Sequence, residues 1–101
     1  MKKNRGMDKL YLRYKMTIKE ATKRMLWNIE SKTTQEATQK GERTYNKEIA
    51  KHLGITPASY SRLRTGVTQP NIITWYKIIK THENLIGPIK TAEIINQLSD
   101  E

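Results

Sequence analysis

The strongest constraint in this chain is a pair of helix boundaries set between two glycines. Thr56-Pro57 reads as an N-cap followed by proline at the first helical position, where the missing N–H costs no hydrogen bond. A helix therefore starts at Pro57 and runs to about Thr65, with Tyr60 and Leu63 facing inward and Gly66 placed as its left-handed C-terminal residue. A shorter helix precedes it, from Asn46 or Lys47 through His52, with Ile49, Ala50 and Leu53 on its inner side and Gly54 ending it. The three-residue turn between the two helices makes specific demands. Gly54 takes positive φ to reverse the chain, Ala50 stays small because the second helix crosses close to it, and Ile55 fills the gap between them.

Around this unit the chain reads as all-α, a compact bundle of about five helices with a basic N-terminal extension. Residues 1–16 form the extension and 17–98 the domain, with the paired helices at 46–66 and C-terminal helices within 71–98. In the extension Leu10, Leu12, Tyr14 and Met16 alternate with polar or aromatic neighbours as in a strand, while Leu10, Tyr14 and Ile18 also fit a helix starting after Asp8; both readings stay open. The first secure helix follows Thr17, which makes a capping box with Glu20, and Met16 and Ala21 are spaced for a hydrophobic staple. Ile18, Ala21, Met25 and Ile29 form its inner stripe, with Trp27 roughly opposite and in need of a second surface if it is to be buried. Ser31 to Thr44 lacks any large apolar side chain and reads as a solvated connection, in which Thr33 and Glu36 repeat the capping-box spacing and Gly41 can close a helical turn. After Val67-Thr-Gln-Pro70, Asn71 caps the most hydrophobic helix, with Ile72, Trp75, Tyr76, Ile78 and Ile79. Gly87-Pro88 stops it, and Thr91 to Leu98 sets Ile94, Ile95 and Leu98 on one side.

Charge narrows the partners. The formal net charge is +9, and residues 1–32, with ten basic and three acidic side chains, carry +7 of it. A local basic excess of this kind favours a polyanion, either nucleic acid or an anionic membrane surface. No apolar run is long enough for a membrane span, and the basic segment lacks the wide apolar face needed to lie in a bilayer, so no membrane partner is expected. The N-terminus shows no secretory pattern, which places the expected site of action in the cytoplasm. The absence of cysteine excludes disulfides, thiol nucleophiles and thiolate metal sites. His52 and His82 are the only imidazoles, read as surface or half-buried residues, and no acid, base and nucleophile set is recognisable. The expectation is a non-enzyme that uses no cofactor and no metal.

Two short helices joined by so tight a turn describe a helix-turn-helix. The run Asn46-Lys-Glu-Ile-Ala-Lys-His-Leu-Gly-Ile-Thr-Pro-Ala-Ser-Tyr-Ser-Arg-Leu-Arg-Thr-Gly66, followed by Val67-Thr-Gln-Pro70-Asn71, resembles the lambda-repressor-like, Cro and xenobiotic-response-element type of domain over about Thr44 to Leu85. The concordant positions are Glu48-Ile49-Ala50, Leu53-Gly54, Ile55, Thr56, Tyr60, Leu63, Gly66 and Pro70, without a gap. The chain departs from the pattern where Tyr45 replaces the usual capping Ser or Thr, where Pro57 replaces a polar base reader, where Arg64 replaces a common Glu, and in its long polar stretch before Asn46.

The resemblance implies that the helix after Thr56 enters the major groove of double-stranded DNA while the Asn46 end of the preceding helix approaches the phosphates. Arg62, one turn past Ala58 on the free face, carries the planar fork that suits guanine O6 and N7 and is the first choice of base reader. Ser59 and Ser61 can donate to bases or phosphates, Ala58 can touch a thymine methyl, and Arg64 is placed for a phosphate. Asn46 and Lys47 add an amide and a charge to a helix N-terminus that already favours phosphate. Thr56, Pro57, Thr65, Thr68 and Gln69 complete the expected contact set, and Lys2, Lys3, Arg5 and Lys9 form a candidate phosphate-tracking arm. With Pro57 and Ala58 leading, one recognition helix reads few base pairs, so a homodimer on a pseudo-palindromic site is expected, with Trp27, Ile94, Ile95 and Leu98 as interface candidates. The leading reading is a Cro-like or repressor-like transcriptional regulator. The alternatives are a protein-binding modulator on the same scaffold, such as an antirepressor or inhibitor from a mobile element or phage, with a regulatory protein as partner, and an excisionase-like recombination accessory factor.

Overall fold

The computed structural model describes residues 15–41 and 46–98. Its first helix, α1 (Ile18–Gln39), starts at the expected capping box: the Thr17 hydroxyl accepts from the Glu20 amide at 3.2 Å, and the Glu20 carboxylate accepts from the Thr17 amide at 3.2 Å. Just ahead of it the Met16 amide donates to the Gln97 carbonyl at 2.6 Å, and Met16 forms a parallel bridge with Leu98, so the entry to α1 is tied to the end of the last helix. The strand-or-helix alternative for 10–16 lies outside the described residues up to Tyr14. Ala21, Thr22, Met25, Leu26 and Ile29 are buried along one face, whereas Ile18, expected in that stripe, is only half-buried. Thr22 tolerates full burial because its hydroxyl donates to the Ile18 carbonyl at 2.7 Å.

The solvated connection expected from Ser31 onward is instead the second half of α1, which continues to Gln39. Nothing between Ser31 and Gln39 breaks a helix, and Lys32, Gln35, Glu36, Ala37 and Gln39 are good helix formers, with Lys32 and Glu36 paired one turn apart at 3.9 Å. Thr33 does not act as a cap; its hydroxyl bonds the Ile29 carbonyl within the helix at 2.7 Å. Gly41, at φ +74, follows the helix end in the expected left-handed conformation.

Helices α2 (Asn46–Leu53) and α3 (Pro57–Thr65) follow, with Ile49, Ala50, Leu53, Tyr60 and Leu63 all buried as expected. Between them Gly54 adopts φ +73, and the Ile55 amide donates back to the Ala50 carbonyl at 3.0 Å, which closes the turn. Asn71 caps α4 (Ile72–Leu85), its side-chain oxygen accepting from the Thr74 amide at 2.8 Å. The inward face of α4 is set by polar as well as apolar residues. Ile72 is 82% exposed and Tyr76 is exposed too, while Thr74, Ile78, Thr81 and His82 are buried and Trp75 and Ile79 pack at the core edge. Spacing decides this: 74, 78 and 81 make one helical stripe, and its polar members hide it from a reading based on apolar residues alone. The last helix, α5 (Pro88–Asn96), begins at Pro88, three residues before the expected Thr91, because Gly87 at φ +120 turns the chain and Pro88 takes the first helical position.

The single core joins Met16, Met25, Leu26, Ile29, Leu53, Tyr60, Ile78 and Ile94. Helix α1 packs against α3, α4 and α5, so the short α2–α3 pair is mounted on a long support through α3. His82, expected at the surface or half-buried, is wholly buried and joins three helices: Asn28 of α1 meets its Nε2 at 3.0 Å and Thr91 of α5 its Nδ1 at 2.6 Å. Thr91 donates onward to the Gly87 carbonyl at 2.8 Å, so Nδ1 carries the hydrogen and Nε2 accepts from the Asn28 amide. This neutral form satisfies every partner, and burial lowers the His82 pKa below its ordinary value. Among the described residues, no helix is long and apolar enough to cross a membrane.

Candidate nucleic-acid interface

Two local devices position α3. At its start the Thr56 hydroxyl accepts from the Ser59 amide at 3.1 Å and donates to the Ser59 hydroxyl at 3.0 Å, which leaves the Ser59 hydrogen free to point elsewhere. At its end Gly66 takes φ +79, and the Val67 amide bonds the Arg62 carbonyl at 2.9 Å. Lys23 of α1 lays its aliphatic stem over this glycine, so closely that an added Cβ would lie 2.8 Å from Lys23 Cδ.

A third device comes from α1. The Tyr60 hydroxyl donates to Glu30 Oε2, and Arg64 Nε donates to the same oxygen at 2.7 Å. Glu30 thus latches two side chains of α3, one on its buried side and one on its flank. Burial, aided by the Glu30 hydrogen bond and charge, pushes the Tyr60 phenol far above its ordinary value, and the Glu30 hydrogen bond raises that of Arg64. Both groups keep their protons throughout the neutral range. Arg64, expected at a phosphate, therefore has an intramolecular partner, although its side chain stays partly exposed.

With Tyr60 and Leu63 turned inward, Pro57, Ala58, Ser61, Arg62 and Thr65 lie exposed, with Ser59 half-buried among them. Thr65 donates its hydroxyl to the Ser61 carbonyl at 2.9 Å. Arg62 makes no side-chain hydrogen bond or ion pair among the described residues and is open to a ligand. A shallow depression between α3 and the start of α4 brings together Ser59, Arg62, Thr68 and Gln69, and adds Asn71, which sequence reasoning used only as a cap. Asn46 and Lys47 are exposed as the first two residues of α2.

A second depression, lined by Glu20, Lys23, Arg24, Trp27 and Arg64, flanks the C-terminal end of α3. Lys23 and Arg24 were missed as site residues, and the signal was present: both are basic residues of α1 that lie outside the Ala21, Met25 and Ile29 stripe and are exposed. Trp27 is 67% exposed there. Of the other interface candidates, Ile94 is in the core and Ile95 and Leu98 pack against it. The arm residues Lys2, Lys3, Arg5 and Lys9 lie outside the described residues.

Residues 39–82 match the family model described as helix-turn-helix, of the lambda-repressor and Cro-like type. This segment is thus similar to helix-turn-helix domains. The match takes in the connector, α2, α3 and most of α4, and the helix-turn-helix thus carries the depression around Arg62 within it. It begins at the last residue of α1, so the Glu30 latch and the Lys23 stem are supplied to the helix-turn-helix from outside the matched segment. No significant match was found among curated proteins or among solved structures.

Proposed function

We propose that this chain is a sequence-specific, double-stranded-DNA-binding transcriptional regulator that lays α3 in the major groove. The observation that carries the reading is the division of labour along α3. Tyr60, Leu63 and Arg64 are committed to the protein, whereas Arg62 is exposed and unpaired among the described residues, flanked by Ser61, Ser59, Thr68 and Gln69. A guanidinium held on a rigid helix suits the two acceptors of guanine, a pairing worth about 1–3 kcal/mol of discrimination. Phosphates are met by the N-terminus of α2 at Asn46 and Lys47 and by Lys23 and Arg24 beside the end of α3, and the arm with Lys2, Lys3, Arg5 and Lys9 adds sequence-independent grip.

Pro57 and Ala58 offer no side-chain donor at the front of α3, so one copy reads a short site. Specificity then comes from a homodimer on half-sites one helical turn, about 34 Å, apart. Exposed Trp27 remains the best candidate for the contact between copies, and the regulator acts as a repressor of the Cro kind. Fluorescence anisotropy with a labelled duplex of mixed sequence, run across a salt series, tests the electrostatic part. Deletion of Met1 to Met7 should weaken binding equally on all sequences and flatten the slope of log affinity against log salt by about 0.9 for each lost phosphate contact. An unchanged slope would remove the arm from the account. The same donor-poor front is what a protein-binding modulator would show, and that reading predicts salt-resistant binding to a protein target with no preference among DNA sequences.

A further inference from the structure

A separate concavity, not used by the proposed DNA contact, lies where the second half of α1, α2 and the second half of α4 meet. Its volume is about 360 Å³. That falls within the range of about 300–1,000 Å³ that small-molecule sites occupy. Ile29, Ile49 and Leu85 give it an apolar floor, and the carboxylates of Glu36 and Glu48 stand at its edge. One wall exists only because α1 continues to Gln39.

Thr81 is the residue that marks this groove as a site. It is only 9% exposed, and its hydroxyl makes no hydrogen bond among the described residues. Thr22 and Thr91, buried more deeply still, each return their hydroxyl to a carbonyl one turn back. Thr81 does not, yet no enclosed side-chain polar atom among the described residues is orphaned, so its hydroxyl is not sealed off, and the residue lines the groove. A nearly buried hydroxyl with its donor and acceptor both unused, above an apolar floor, is the arrangement that orients a small polar molecule. The charge at the edge sets the sign. In a chain of net +9, the groove presents two carboxylates, of which Glu36 has only a long, exposed contact with Lys32 and Glu48 has no ion pair among the described residues.

We propose that this groove binds a small amphiphilic amine. The hydrocarbon part lies on Ile29, Ile49 and Leu85, the ammonium takes the Glu36 and Glu48 side, and a hydroxyl-sized polar group meets Thr81. The test follows backbone amide shifts of the full chain, labelled with nitrogen-15, during titration with tyramine, its neutral analogue tyrosol and its anionic analogue 4-hydroxyphenylacetate. The readout is independent of whether the chain binds DNA. Saturable shifts are expected along 29–36, 48–52 and 81–85, with tyramine bound about tenfold tighter than tyrosol and the anion weakest. The Glu36→Gln, Glu48→Gln double variant, altered only at exposed side chains, should bring tyramine down to the affinity of tyrosol. Thr81→Val removes a hydroxyl that the fold does not use, so it should keep the spectrum dispersed and weaken tyramine and tyrosol alike. Shifts that do not saturate, that map elsewhere, or that are equally strong with 4-hydroxyphenylacetate would overturn the proposal.

Discussion

Glu30 is separated by thirty residues from Tyr60 and by thirty-four from Arg64, yet one of its oxygens serves both. Removing it leaves the buried Tyr60 hydroxyl without its partner, and an orphaned buried donor costs about 1–3 kcal/mol. Glu30→Ala should therefore lower the free energy of urea unfolding by that amount, and adding Tyr60→Phe should recover part of the loss. Full additivity of the two changes would show that they do not interact. His82 makes a second residue-scale prediction. Its folded pKa lies below the ordinary 6.5, so as pH falls below about 6.5 the unfolded chain takes up a proton that the folded chain refuses. Stability should be full well above pH 6.5 and fall as the pH drops below it, and the urea midpoint of His82→Gln should lose most of this slope. An unchanged slope in the variant would remove His82 as the cause.

At the scale of elements, the best-read parts are those whose determinants are local. Thr17 with Glu20, Thr56-Pro57 and Asn71 each announce a helix start within four residues, and Gly54 and Gly66 mark turns that only a left-handed residue completes. Gly66 is held doubly, by φ +79 and by the Lys23 stem above it. Gly66→Ala should cost about 1–2 kcal/mol in unfolding free energy, and less if Lys23 is also shortened to Ala. What escaped the sequence is equally physical. The end of α1 was read as a connection because its evidence is the absence of helix breakers, and a polar helix offers no apolar period. The inner face of α4 carries no clear apolar period, because Thr74, Thr81 and His82 lie buried in it beside Ile78. For the candidate site, Arg62 and its neighbours were legible from spacing, whereas the partner of Arg64 lies on another helix and had no local signal.

For the whole molecule, the charge and the reader are separate. Residues 1–32 hold most of the basic excess, and the helix-turn-helix within 39–82 holds Arg62 on a modestly charged helix. Long α1 connects the two, since it bears Lys23 and Arg24 outward and the Glu30 latch toward α3. If a dimer forms, light scattering at tens of micromolar should give twice the chain mass, and Trp27→Ala should shift it toward the monomer. The central claim is that Arg62 reads a base from the major groove. Selection of bound duplexes from a random DNA pool, run at low and high salt with the parent chain and Arg62→Ala side by side, tests it most directly. The account predicts an enriched motif that persists at high salt for the parent and loses its preference for guanine at one position per half-site in the variant. No enrichment with the parent, or the same motif from both proteins, would contradict it.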